Sequence, residues 1–332
     1  MKKFIAVAFA LAIASMAFAS GNRQNPVTGQ TKGMDRVMVM GYAQIGAESE
    51  WRVACTNSVQ SAAKEWNADL RFSDAQQKQE NQIQAMRNFI RQGVDVIAFT
   101  PVVESGWEPV LTEAKAAGIP VILVDRTIDL GMDSDLFVTY IGSDLLQEGR
   151  NIGKWVVDYM NQNGRGNSAV NIVELQGTVG AGPAIDRAAG FREVIDPLSN
   201  FNIIRTQTGN FTRAEGKAVM EAFLRSDGDN IQVVYAHNDD MAIGAIQAIE
   251  ESGLRPGVDI IVVSIDGVKG AFEAIMAGTL NATMECNPIL GPQIMDAAVK
   301  LLAGETLPRW IKSDEQLFDS TNASAAFASR QY

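Results

Sequence analysis

The residues of this chain able to do chemistry around a ligand sit where apolar runs stop. Gln44 follows VMVMGYA, Asp125 and Arg126 follow VILV, and Gln176 follows NIVEL. Asn238 follows VVYAH, Asp266 follows IVVSI, and Asp74 closes a shorter run at RFS. A carboxylate accepts hydrogen bonds from two hydroxyls, and an arginine offers a planar fork of donors. Trp51, Trp107 and Phe211 add aromatic faces for a C–H surface. Together these groups suit a polyhydroxylated ligand. Taken singly, an Asp or Asn at the end of a strand is also ordinary cap and turn chemistry.

Other chemistries lack their parts. With one histidine and two cysteines, Cys55 and Cys286, the chain poorly supports a zinc site or a Ser-His-Asp triad. No G-x-G-x-x-G follows the first apolar run and no Walker A motif occurs. GTVGAG at 177–182 is glycine-rich but lacks the Lys-Ser/Thr of a phosphate loop, and reads as a flexible turn. The aspartates of DLGMDSDLF do not have EF-hand spacing. No metal or cofactor is therefore expected. The net charge of −11 argues against non-specific nucleic-acid binding, which needs a basic footprint.

The polar positions need elements to hold them. The stretch 231–253 gives the pattern: an apolar run Val233–Ala236, then His237, Asn238, Asp239 and Asp240, then Ala242, Ala245, Ile246 and Ile249. That spacing predicts strand, turn and helix, with Asp239 as the N-cap. The same alternation runs along the chain, broken near NGRGNS and then resumed. It predicts an α/β protein with two similar parallel-sheet units. Open α/β sheets bind ligands beyond the carboxyl ends of their strands, where the polar residues fall. At 332 residues the chain is long enough for two domains. At the N-terminus, Lys2 and Lys3, an apolar run to Phe18 and Ala17-Phe18-Ala19 predict a cleaved secretory signal peptide over 1–19, with a polar mature leader over 20–34.

The mature chain carries QIGAESEWR, DAQQKQENQI, GWEPVLTEAKAAGIPVILVDR, VELQGTVGAGPAIDRAAGF, YAHNDDMAIGAIQAI and SIDG, spread from Gln44 to Gly267. In these passages it resembles the periplasmic sugar-binding proteins of ABC importers, in the ribose/galactose class, and among them the galactofuranose receptors most. The resemblance implies the type I fold: two three-layer α/β/α lobes joined by a hinge. It places 35–138 plus 287–314 in the first lobe and 139–286 plus 315–332 in the second. It implies capture of a monosaccharide by hinge closure, delivery to a membrane permease, no catalysis, no membrane insertion and a periplasmic monomer. By position it implies ligand contacts from Glu48, Ser49, Trp51 and Arg52, with Gln44 beside them. It further implies Asp125, Arg126, Arg187, Phe211, Asn238 and Asp266, while Cys286 stands where ribose receptors carry a glutamine. Another sugar, a polyol or a signal molecule on the same scaffold is the alternative, with a chemotaxis role able to coexist. A sugar-responsive repressor would need a DNA-binding segment where the signal peptide lies. An enzyme would need a nucleophile–base pair.

Overall fold

The computed structural model describes residues 28–332. The expected signal peptide and the first part of the leader lie outside the described residues. In chain order the elements begin β1 Val39–Gln44, α1 Glu50–Glu65, β2 Asp69–Asp74, α2 Gln79–Gln92, β3 Val96–Phe99, α3 Glu108–Ala116, β4 Val121–Val124 and β5 Thr139–Gly142. There follow α4 Leu145–Gln162, β6 Val170–Gln176, α5 Gly182–Ile195, β7 Phe201–Thr208, α6 Arg213–Asp227, β8 Val233–Ala236, α7 Asp239–Glu251, β9 Ile261–Asp266, α8 Lys269–Ala277 and β10 Ala282–Glu285. The chain closes with α9 Gly291–Leu302, β11 Trp310–Lys312, β12 Leu317–Asp319 and α10 Ala323–Phe327.

The strands form two six-stranded sheets, ordered β11-β5-β4-β3-β1-β2 and β12-β10-β9-β8-β6-β7. The repeat predicted from the alternation is thus a repeat of topology: second strand at the edge, first strand inside it, the rest in sequence. The copies differ at one edge, since β11 runs parallel to β5 while β12 runs antiparallel to β10. The inner strands β3, β4, β8 and β9 are buried along their whole length, as the unbroken apolar runs of β3, β4 and β8 require of a sheet covered on both faces. The edge strands β2 and β7 are largely half-exposed and carry more polar residues.

Two sequence expectations change. The first sheet extends through Gly142, beyond the boundary expected at 138, because β5 pairs with β4 from Thr139 to Ile141. Asp239 is not the cap of α7; Asn238 is, accepting from the Met241 N–H at 3.0 Å. The Asp239 carboxylate turns inward and accepts from Thr283 Oγ1 and the Val268 N–H at 2.8 Å each, and from Ser264 Oγ. It thereby ties α7 to β9, β10 and the start of α8.

The chain passes between the sheets three times, at 143–144, 286–290 and 313–316. The Glu315 carboxylate touches all three crossings. It accepts from Ser143 Oγ on the first and from the Asn287 N–H on the second, at 3.0 Å for the latter.

Candidate functional site

The carboxyl ends of both sheets face one cavity of about 20 Å³, lined by Glu48, Ser49, Trp51, Arg52, Asp125 and Arg126 from the first lobe. Pro183, Arg187, Phe211, Asn238, Asp266 and Cys286 line it from the second lobe and the hinge. That is far less room than the ~300–1,000 Å³ of open small-molecule pockets, so the walls of the two lobes lie close together. Of the sequence-predicted residues only Gln44 is left out. It is fully buried behind the wall, with Nε2 on Thr56 Oγ1 at 3.1 Å and Oε1 on the Ile45 N–H at 2.9 Å. It therefore orients the β1–α1 turn and does not face the cavity.

On the first lobe, Ser49 caps α1 by accepting from the Arg52 N–H at 3.1 Å, which starts the helix with Trp51 and Arg52 in its first turn. Arg52 donates to Glu48 at 3.0 Å and to Asp125 at 2.7 Å. Burial works against its charge, but the two carboxylates prevail and lift its pKa well above the ordinary value. Trp51 lies 4.7 Å beneath that guanidinium and donates its indole N–H to the Cys286 carbonyl at 2.6 Å, across to the hinge. Arg126 donates to the Val102 carbonyl at 3.0 Å. Burial and the neighbouring Arg52 pull its pKa down to about 10.

On the second lobe, Arg187 donates to Glu148 of α4 at 2.7 Å and to the His237 carbonyl at 2.6 Å, and lies 3.6 Å from Asp266. Glu193, further along the same helix, pairs instead with Arg150. Glu148 reaches Arg187 because α4 and α5 pack at glycines: a Cβ on Gly190 would stand 2.0 Å from the Leu146 carbonyl oxygen. Burial pushes the Asp266 carboxyl far up from its ordinary value, with Arg187 opposing. Asn238 spends its amide on capping α7 and on the Phe211 carbonyl, at 3.1 Å, so it holds Phe211 in place. The Phe211 ring in turn lies 5.2 Å from the Arg126 guanidinium of the other lobe.

Three cavity residues hold left-handed backbone: Asp125 at φ 64°, Phe211 at 62° and Asp266 at 133°. Each such residue costs about 1–3 kcal/mol, a strain that collects at ligand sites. The other polar strand ends lie elsewhere. Asp74 is exposed and accepts from the Gln76 N–H, and Gln176 turns back to Glu174. Trp107 is fully buried in the first-lobe core against Phe99.

Sequence reasoning missed Pro183 and Glu148 and left Cys286 aside. None carries a local signal, since their place depends on how helices and crossovers meet. Glu148, Cys286 and Glu315 also bring their ligand atoms within 4.8 Å of one another. Glu148 Oε2 accepts from Arg187, and Glu315 Oε1 accepts from Ser143 Oγ and the Asn287 N–H.

The unfilled polar atoms define what the cavity can take. Glu48 Oε2 needs a donor, while Arg52 Nη1 and Arg126 Nε need acceptors; all three are buried without a partner among the described residues. A buried polar group left unpaired costs about 1–3 kcal/mol, which a matching ligand recovers. Three guanidiniums face three carboxylates around the wall, so no net charge is called for. A hydroxyl both donates and accepts, and answers each demand.

The sequence profile of the periplasmic binding protein domain matches residues 40–306. The galactofuranose-binding protein YtfQ of Escherichia coli is 50% identical over 273 residues, which is 82% of this chain and 84% of that one. A Mycobacterium smegmatis protein solved in complex with β-D-fucofuranose is 50% identical, with a TM-score of 0.85 over 89% of this chain and 96% of that one. The binding component of the arabinose ABC transporter of Shewanella, solved with α- and β-L-arabinofuranose, is 49% identical, with a TM-score of 0.84 over 89% and 96%. With two parallel-sheet lobes, three crossings and a cavity at the carboxyl ends of both sheets, the chain belongs to the periplasmic binding protein family, in its type I form.

Proposed function

We propose that this protein captures a neutral monosaccharide in its furanose form, galactofuranose foremost, between its lobes and hands it to the permease of an ABC importer. The observation that carries the reading is the set of buried, unpartnered Glu48 Oε2, Arg52 Nη1 and Arg126 Nε around a charge-balanced cavity. Support comes also from the furanose ligands named for the relatives above. Glu48, Arg52, Asp125, Arg126, Arg187 and Asp266 hold the hydroxyls and ring oxygen. Trp51 and Phe211 cover the C–H faces. Ser49 and Asn238 keep the walls in place, and Gln44 stands behind them. The sugar touches both lobes only when they are closed, so its differential contacts stabilise the closed state. No bond of the sugar is made or broken. The protein works as a monomer in the periplasm, 35–142 with 287–314 forming one lobe and 143–286 with 315–332 the other.

The test is a thermal-shift panel of the mature protein with galactose, fucose, arabinose, ribose and inositol. A ligand that binds only the folded state adds about 2.7 kcal/mol at a hundredfold excess over its Kd. A shift with galactose, fucose or arabinose and none with inositol is expected. A shift with inositol alone replaces the sugar by a polyol, and no shift at all overturns the sugar reading.

A further inference from the structure

The glycine-rich stretch 177–182 holds no phosphate-loop lysine, yet its first residue meets the cavity wall. A Cβ built on Gly177 would lie 1.8 Å from Cζ of the Phe211 ring and 2.3 Å from both Cε atoms. Carbon atoms rest at about 3.5–4.0 Å, so a methyl there displaces the ring by about 2 Å. Neither backbone is free to yield. The Gly177 N–H points to His237 Nδ1 and its carbonyl accepts from Thr208 Oγ1 at 2.7 Å. Phe211 is held by its left-handed backbone and by the Asn238 amide on its carbonyl. The ring therefore has to turn away from Gly177, and beside it are the cavity and the Arg126 guanidinium.

We propose that Gly177 is a specificity-determining position: its missing side chain lets the Phe211 ring lie back, and this sets the depth of the cavity and the size of furanose it accepts. The inference rests on the sugar reading above and extends it to size selection. Galactofuranose and L-arabinofuranose share a ring and differ by one hydroxymethyl group, so they measure depth directly. In Gly177→Ala the cavity is shallower and the larger sugar suffers more. One carbon's worth of space in a pocket changes selectivity by roughly 10–200-fold.

The experiment is calorimetric titration of wild type, Gly177→Ala, Phe211→Leu and the double variant with D-galactose and L-arabinose, with crystal structures of the two alanine-bearing proteins. The expected result is a galactose-to-arabinose affinity ratio lowered at least about tenfold in Gly177→Ala. The double variant should recover much of that ratio, because a smaller side chain at 211 removes the clash. If Gly177→Ala does not fold, the double variant is compared with Phe211→Leu alone, and an unchanged ratio between them is expected. A Phe211 ring unmoved in the Gly177→Ala crystal, or an unchanged ratio in that protein, overturns the inference. A wild type that binds neither sugar overturns the sugar reading; the crystal then still decides whether Gly177 sets the ring.

Discussion

Arg52 and Asp125, 73 positions apart in sequence, meet at 2.7 Å with both side chains almost wholly buried. One comes from the helix after β1, the other from the end of β4, and the pair forms the floor of the first-lobe wall. Removing one partner of a buried pair leaves an uncompensated charge and costs about 3–5 kcal/mol. Asp125→Ala is therefore expected to lose sugar binding and also a sizeable part of its stability. Chemical denaturation with and without sugar checks both. Retained affinity would take Asp125 out of the site.

Glu315 makes stability depend on pH. Burial, with Glu148 beside it, raises its pKa from 4.5 to about 8, against the hydrogen bonds from Ser143 and the Asn287 N–H and the charge of Arg187. The folded state then binds more protons than the unfolded state between those two values, so stability falls as pH rises from about 4.5 through about 8. Asp239, raised from 3.8 to about 6, adds a slope of the same sign over a lower window. Urea midpoints measured from pH 5 to pH 9 should decline, and Glu315→Gln should flatten the upper part of that decline. A wild-type midpoint that rises from pH 6 to pH 8 would refute it.

The mouth of the cleft carries a lighter fastening. The Glu50 N–H donates to Asp240 at 2.8 Å, and Arg213 reaches both Asp240 and Glu50 at 2.9 Å, from the other lobe to the latter. Arg213 and Glu50 are each nearly half exposed, so the pair is screened and contributes about 0–1 kcal/mol. Arg213→Ala should weaken sugar affinity a few-fold at low salt and less at high salt. Titrations at two ionic strengths decide it; a loss of a hundredfold would mean that Arg213 acts in the cavity itself.

The inward carboxylate of Asp239 predicts a stability defect away from the cavity. Asp239→Ala strands two hydroxyls and the Val268 N–H in the core. A loss of about 2–4 kcal/mol is expected, less in Asp239→Asn, which keeps an acceptor oxygen. Unfolding curves of the two variants would show the order, and equal losses would assign the effect to charge alone.

The sequence by itself determined the alternation of strands and helices, the polar residues at strand ends and their suitability for hydroxyls. These are local properties: apolar runs set buried strands, helical spacing sets the covering faces, and the strand end is where the chain must turn polar. It also determined ten of the residues now found around one cavity, through motifs whose spacing matches a known family. Gln44 failed because adjacency in sequence does not say on which side of a wall a side chain emerges. Asp239 failed because Asn and Asp are equivalent caps in isolation, and only β9 and β10 packing behind α7 make an inward carboxylate worthwhile. Glu148 meeting Arg187, Glu315 joining three crossings, and Phe211 lying on Gly177 were decided by the tertiary structure alone. Each is a contact between segments brought together by the packing of whole helices and sheets, and no short-range pattern in the chain encodes that distance.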